Sequence, residues 1–443
     1  MAIQLSDHFT YRKLFRFTLP SVIMMIFTSV YGVVDGFFVS NFVGKTPFAA
    51  VNFIMPFLMI LGALGFMIGT GGSALVSKTL GEGDEKKARE LFSMFVYVSL
   101  LGGIVFSVIG ISVLRPVAAL LGAEGELLDN CVIYGRIILI ALPAFILQYE
   151  FQSFFVTAEK PHLGLAVTVA AGVINMVLDA LLCAVFPMGL AGAAIATALS
   201  QCVGGFFPLI YFLFFAETGK LRLTRTVFKL SPLIKACANG SSELLSTVSM
   251  SLVGMLYNAQ LMKFAGEDGV AAYGVLMYVN MIFLAIFIGY SVGTAPVIGY
   301  NYGAERTDEL HSIFVKSLKV ISCTSVIMVA AGLIFAYPLS GIFVGYDREL
   351  FEMTLRGFRI YSFAFLFSGM AIFGSSFFTA LNNGLISAVI SFMRTLIFQV
   401  AAVIIFPLIW ELDGIWASVV AAEFMAFSLT VFFLVKKRGS YRY

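Results

Sequence analysis

The chain has 443 residues, of which 60% are hydrophobic and only 12% charged, with a mean hydropathy of +0.97. A soluble protein of this length would carry about 25% charged residues, so a soluble globular class is excluded and an integral membrane protein is indicated. The formal net charge of +3 excludes little, because its distribution matters more than its sum.

Turn and charge clusters divide the chain into twelve apolar segments, predicted at 14–41, 48–77, 88–113, 127–157, 162–186, 189–216, 234–262, 270–300, 311–339, 353–380, 384–408 and 414–435. A helical crossing needs about 20 apolar residues. No polar stretch between the segments is long enough for a soluble domain. The first segment, from Leu14 towards Asn41, is too long for a signal-peptide core and no small-residue cleavage site follows it, so it reads as a retained span. Inside it, GVVDGFF (32–38) sets Asp35 between LPSVIMMIFTSVY and FVSNFVG. A carboxylate there costs roughly 2.5–3.5 kcal/mol on insertion scales, and something must compensate. Several segments exceed the minimum length, so tilts or kinks are expected. Pro20, Pro56, Pro143, Pro208 and Pro296 lie within spans, where each removes a helix hydrogen bond.

The lysines and arginines fix an orientation. RKLFR (12–16), KTLGEGDEKKAR (78–89), KLRLTRTVFK (220–229) and KKRGSYR (436–442) all fall on one side. That side holds about 20 basic residues against about 5, which makes it cytoplasmic. Both termini are then inside, in a plasma (inner) membrane.

The two halves repeat. FVGKTPFAAVNFIMPF (42–57) matches FAGEDGVAAYGVLMYV (264–279), and LGEGDEKKARELF (80–92) matches YGAERTDELHSIF (302–314), both without gaps. FPMGLAGAA (186–194) corresponds loosely to FPLIWELDGIW (406–416). Each half holds six spans, an even number, so both insert the same way round. The expected fold is an all-α integral membrane protein of two pseudo-symmetric six-helix lobes about an axis along the membrane normal. Residues 1–216 form an N-lobe, 217–233 a cytoplasmic loop and 234–443 a C-lobe. A solenoid is excluded by the length of the period.

Few residues carry chemistry. GEGDEKK (81–87) lacks the spacing of a phosphate loop, so ATP hydrolysis is not expected. His8, His162 and His311 are far apart at loops or span ends, and Cys131, Cys183, Cys202, Cys237 and Cys323 are scattered without a CxxC pair, reading as small buried hydrophobes. What remains is a set of polar groups inside spans. Asp35, Asp179 and Thr197 lie seven or eight residues, about 10–12 Å, from the outer ends of helices 1, 5 and 6. They share a depth without sharing a helix. Asn175 and Tyr31 stand one turn deeper than Asp179 and Asp35 on the same faces. Gly32 and Gly36 bracket Asp35 in a spacing that lets another backbone approach or the helix bend. An Asn or Thr alone in a membrane is most often interhelical glue. Two carboxylates without a base at their depth are not, since together they would share a proton or a small cation. Arg394 is the one clearly intramembrane base and belongs to the other lobe. Glu150 and Glu423 read as interhelical contacts, Glu423 aligning with Gln201 in the repeat. Arg136 and Arg359 lie near outer span ends and snorkel. The 46 phenylalanines and 19 methionines suit a lipid-facing surface first, and some of them an adaptable cavity. Glu243, aligned with Ser21, is expected about nine residues into helix 7, roughly 13 Å from its cytoplasmic end, among small residues that leave room for a ligand.

Twelve spans, the 6+6 repeat and the segment LPSVIMMIFTSVYGVVDGFFV together resemble the multidrug and toxic compound extrusion (MATE) transporters over nearly the whole chain. The aspartate in helix 1, NMVLD (175–179) in helix 5 and the threonine in helix 6 are similar to that family's N-lobe cation site. The resemblance implies export of amphipathic, cationic small molecules in exchange for H+ or Na+, and no enzyme activity or cofactor. It implies Asp35, Asn175, Asp179 and Thr197 as the coupling-ion site, which would also be the metal site for Na+. Glu243, Tyr31 and Arg394 are the expected substrate contacts, in a monomer that engages the bilayer and no nucleic acid. The NorM branch carries acids within helices 7 and 10, whereas 357–380 here has none, so the DinF-like or MepA-like branch is closer and a C-lobe ion site is not expected. The alternative is a flippase for a lipid-linked or peptide-like precursor, which would favour several basic residues in its cavity for phosphate. A membrane-embedded enzyme would need a polar cluster at an interface that the sequence does not show.

Overall fold

The computed structural model describes residues 3–216 and 219–443. Among the described residues the secondary structure is helical throughout, without a strand, as a bilayer demands when every backbone polar group must be satisfied within its own segment. Spans are α1 (Tyr11–Val43), α2 (Lys45–Gly81), α3 (Glu85–Leu120), α4 (Gly125–Ile140 with Leu142–Thr157), α5 (Pro161–Val185), α6 (Gly189–Phe215), α7 (230–265), α8 (267–303), α9 (Thr307–Val344), α10 (Arg348–Ala380), α11 (Gly384–Ile405) and α12 (Pro407–Tyr441). The segments α7 and α8 run on as one 74-residue helix except at Gly266, whose φ of 62° and ψ of −150° break it. The predicted count and order of spans hold, making a multi-pass membrane protein of twelve helices in two lobes.

The ends differ from expectation where helix continues past the apolar core. α3 reaches Leu120 instead of 113, carrying Pro116 within it. α7 starts at Leu230, four residues early. α4, expected as one straight span, bends by 58° between Ile140 and Leu142, because Pro143 cannot donate into the preceding turn. α12 starts early at Pro407 but breaks at Trp410 and Glu411, so its continuous part begins close to the predicted residue 414.

Backbone breaks repeat with the sequence. Residues with positive φ recur 222 positions apart at Gly44 and Gly266, at Gly83 and Glu305, and at Gly189 and Glu411. Gly44 and Gly266 end the first helix of each half in conformations that a side chain would strain. The register read from the sequence is therefore also a register of turns.

The lobes meet most closely on the side that carries the basic clusters. A Cβ on Gly240 of α7 would stand 1.9 Å from the Met67 carbonyl oxygen of α2, and one on Gly71 would stand 2.0 Å from that of Ala236. Only glycine permits such backbone contact. α8 crosses α1 through Gly289 and Gly293, and α2 again through Gly303. Below this seam residues 5–9 tie the lobes together. The Leu5 amide donates to Glu159 Oε1 (2.7 Å), and the Phe9 amide donates to Glu309 Oε1 (2.8 Å), whose other oxygen meets His8 Nδ1 (2.6 Å). Leu5 and Phe9 are fully buried. The chain between α6 and α7, of which residues 217 and 218 of the predicted loop lie outside the described residues, lies along α3. Its Thr224 amide donates to Ser93 Oγ, and Arg89 donates to the Lys220 carbonyl.

Candidate functional site

The N-lobe interior holds the first constellation. Asp35 is the last residue but three of the α-helical part of α1, just before a π-helical turn at Val39–Val43, and Asp179 ends the α-helical part of α5 just before another at Ala180–Val185. π-turns spoil the regular helix ladder and recur at functional sites. Here they sit on the side of both acids away from the basic clusters. Thr197 Oγ1 of α6 donates to Asp35 Oδ1 at 3.2 Å, and Asp179 and Asn175 adjoin the same carboxylate. The expected four residues thus come together from three helices. Asp35 keeps 9% of its surface exposed, Asn175 1% and Asp179 none. Both Asp179 oxygens and both amide atoms of Asn175 are buried without a hydrogen-bond partner. No lysine, arginine or histidine forms an ion pair with either aspartate among the described residues. Two carboxylates, an amide oxygen and a hydroxyl make an all-oxygen donor set of the kind hard cations take, and buried anions require a proton or a cation beside them.

Sequence reasoning missed Tyr134. It projects from α4, fully buried, with its hydroxyl next to Thr197 and within the field of both aspartates. Its hydroxyl is also unpartnered. The signal was available, since Tyr134 lies in the outer half of a span, but the packing that brings it beside Thr197 and the acids was not.

The second constellation lines a cavity of about 440 Å³ that lies mainly against the C-lobe. Glu243, Thr247, Met250, Gly254 and Tyr257 form a stripe along α7 that starts one turn above Gly240 at the seam. The stripe runs roughly 21 Å away from the seam at 1.5 Å per residue. The cavity therefore rests on the closed seam and faces the opposite side, and no atom lies within 4 Å of where a Cβ on Gly254 would sit. Phe66, Thr70 and Ser73 of α2 form its floor with Ser153 of α4. Because α7 begins early, Glu243 lies about 20 Å from its start, deeper than predicted. Arg394, in a π-helical turn of α11 at Met393–Ile397, donates its Nε to both oxygens of Glu423 on α12, at 3.1 and 2.9 Å. Glu423 thus makes the interhelical contact that was expected. Tyr257 donates to Gln399 Oε1 (2.7 Å), lies 2.8 Å from Ser418 Oγ, and stacks on Tyr273 at 5.4 Å between ring centres, with Trp416 beyond.

The family comparison decides what these two sites belong to. The MatE family model matches residues 20–181 and again residues 244–405, once for each half of the repeat. The chain belongs to the MatE family. As a MATE protein it is a membrane transporter and not an enzyme. It is 24% identical to the multidrug export protein MepA of Staphylococcus saprophyticus, over 97% of this chain and 94% of that protein. It is 26% identical to MepA of Staphylococcus haemolyticus, over 81% and 80%, so the MepA-like branch fits. An outward-facing structure of a multidrug resistance MATE family transporter of the MOP superfamily superposes with a TM-score of 0.93, covering 100% of this chain and 98% of that one at 22% identity. A MOP superfamily transporter from Pyrococcus furiosus superposes at 0.90, covering 98% of each at 22% identity.

One grouping needs correction. Glu243, Tyr31 and Arg394 were expected to form one substrate site, and only Glu243 and Arg394 line the MATE cavity. Tyr31 lies in the N-lobe beside Gln148 and Asp35, with its ring against Gly172 of α5. The reason is helical geometry: one turn from Asp35, Tyr31 must share its face. Glu150 is fully buried beside Ser99 with both oxygens unpartnered, apart from either constellation. Gln399, Tyr257, Tyr273 and Trp416 were not singled out, because aromatic residues in a membrane sequence do not announce which way they point.

Proposed function

We propose that the chain is a secondary active efflux antiporter that exports amphipathic, cationic small molecules in exchange for H+ or Na+. It would work in the plasma (inner) membrane with both termini cytoplasmic, following the asymmetry of basic residues. The observation that carries the reading is the pair of adjacent, buried carboxylates Asp35 and Asp179 without a basic partner. Asp35 keeps the exposed edge, so the ion reaches it first and Asp179, Asn175 and Thr197 complete the site. Substrate occupies the C-lobe cavity, its positive group facing Glu243 and its apolar body against Tyr257, Tyr273 and Met250. An ion that binds the outward-facing state more tightly than the inward-facing one shifts the protein between them. Each charge moving inward across 100 mV supplies about 2.3 kcal/mol.

The flippase reading is not favoured. Arg394 is the one base lining the cavity among the described residues, and Glu423 already engages it from two oxygens. Phosphate would find no free cation there. Dye efflux from proteoliposomes under separately imposed Na+ and proton gradients tests the proposal. One gradient should drive efflux in the wild type and neither should drive it in Asp35→Asn. Efflux that needs neither gradient would refute the antiport.

A further inference from the structure

Three acidic or basic side chains line the MATE cavity among the described residues: Glu243, Arg394 and Glu423. Their charges sum to one negative, and the way they are paired decides where it resides. Arg394 faces Glu423 in a fork at 3.1 and 2.9 Å, with both side chains largely buried. It is also the charged group that acts on Glu243, yet no ion pair joins the two among the described residues. Glu243 is left half-buried at the base of the α7 stripe, its carboxylate turned to the cavity. Arg394 shares the cavity with two acids and is bonded to one. Arg394 leaves α11 from a π-helical turn and reaches α12 at Glu423. Val419, a turn before Glu423 on α12, also lines the cavity, so the pair forms part of the wall.

We infer that Glu423 is the specificity-determining residue of the C-lobe cavity: by holding Arg394, it reserves the Glu243 carboxylate for a cationic substrate group. This rests on the proposed substrate site and adds the device that sets its charge preference. Without Glu423 one acid remains in the cavity that Arg394 lines, and Arg394 paired with Glu243 leaves a cavity without net charge. Without Arg394 both carboxylates are free and the cavity carries two negative charges. An unpaired buried charge is costly, so the guanidinium will follow whichever carboxylate remains. Glu423 need not touch substrate; it acts through Arg394.

The test uses purified full-length protein and two fluorescent probes of one shape, a dansyl amide bearing a quaternary ammonium and the same amide without it. Glu423→Gln should weaken binding of the cation by about 30-fold or more, as loss of a desolvated charge contact does, and leave the neutral probe unchanged. Arg394→Gln should keep or strengthen cation binding. Glu423→Gln combined with Arg394→Gln should restore the wild-type ratio between the probes, which a merely structural role for Glu423 would not do. Should Glu423→Gln fold poorly, Arg394→Gln and the double variant still decide, since loss of cation preference in either overturns the inference. Glu243→Gln separates the two levels. If it leaves the ratio of probes unchanged, the substrate site itself is wrong; if it abolishes the preference while the double variant fails to restore it, only the role of Glu423 falls.

Discussion

The two lobes descend from one pattern and carry opposite chemistry at matching places. In the register fixed by Gly44 and Gly266, Asp35 of α1 stands where Tyr257 stands on α7. In the register fixed by Gly189 and Glu411, Thr197 corresponds to Val419 and Gln201 to Glu423. α5 carries Asn175 and Asp179, whereas α11 has no acid and carries Arg394. The N-lobe has therefore gathered anionic oxygens without a base, and the C-lobe has an aromatic wall, one satisfied ion pair and one free carboxylate. The contrast supports the proposed division of labour. Unpaired acids in low dielectric bind an ion or a proton, while aromatic faces beside a carboxylate suit an organic cation. A symmetric scaffold lets two such sites face a common midplane and respond to one rocking motion.

The comparison breaks most severely if the lobes cannot close. Gly240→Ala places a methyl 1.9 Å from the Met67 carbonyl oxygen. Overpacking of this kind costs about 1–3 kcal/mol, all of it in the state with the seam closed. The population should move towards the inward-facing state by roughly 5- to 150-fold, since 1.4 kcal/mol is one factor of ten. A cysteine at Ser73, buried on the cavity floor, should then react with an impermeant maleimide from the side of the basic clusters. Unchanged labelling would show that this seam is not the gate.

Smaller changes sharpen the contrast between lobes. Tyr257→Phe removes a hydroxyl bonded to Gln399 and Ser418 and leaves two buried polar groups short of a partner. A loss of about 1–3 kcal/mol in stability is expected, visible as a lower melting temperature, with ion response retained. Thr197→Val removes a neutral donor from Asp35, worth about 1 kcal/mol. Na+, which loses a hydroxyl oxygen ligand, should then bind about fivefold more weakly, while melting temperature and dye affinity stay near wild type. A drop in dye affinity instead would mean that the lobes do not divide the work as described.

Much of this was legible in the sequence. Hydropathy gave twelve spans because a bilayer allows only continuous helices, and the gapless matches at 42–57 and 80–92 fixed the repeat before any coordinate. The N-lobe site could be found by depth alone, because Asp35, Asp179 and Thr197 are rare polar residues at similar distances from span ends. Tyr134 and Tyr31 show where that reading fails. Depth does not give azimuth, and the packing that brings Tyr134 of α4 beside Thr197 and the acids is not predicted by periodicity. The partner of Arg394 was also hidden, since Glu423 lies 29 residues away on the next helix and pairing across helices depends on how α11 and α12 pack.

The central claim is that ion and substrate occupy different lobes of one MATE transporter and communicate through its closure. The most direct measurement is release of a bound cationic dye from the purified protein, titrated with Na+ at fixed pH and with acid at fixed Na+. In the wild type one of these titrations should displace the dye. The Asp35→Asn, Asp179→Asn double variant should bind dye with wild-type affinity, ignore Na+, and keep only the release by acid that protonation of Glu243 itself produces. Release that persists unchanged in the double variant would contradict the account.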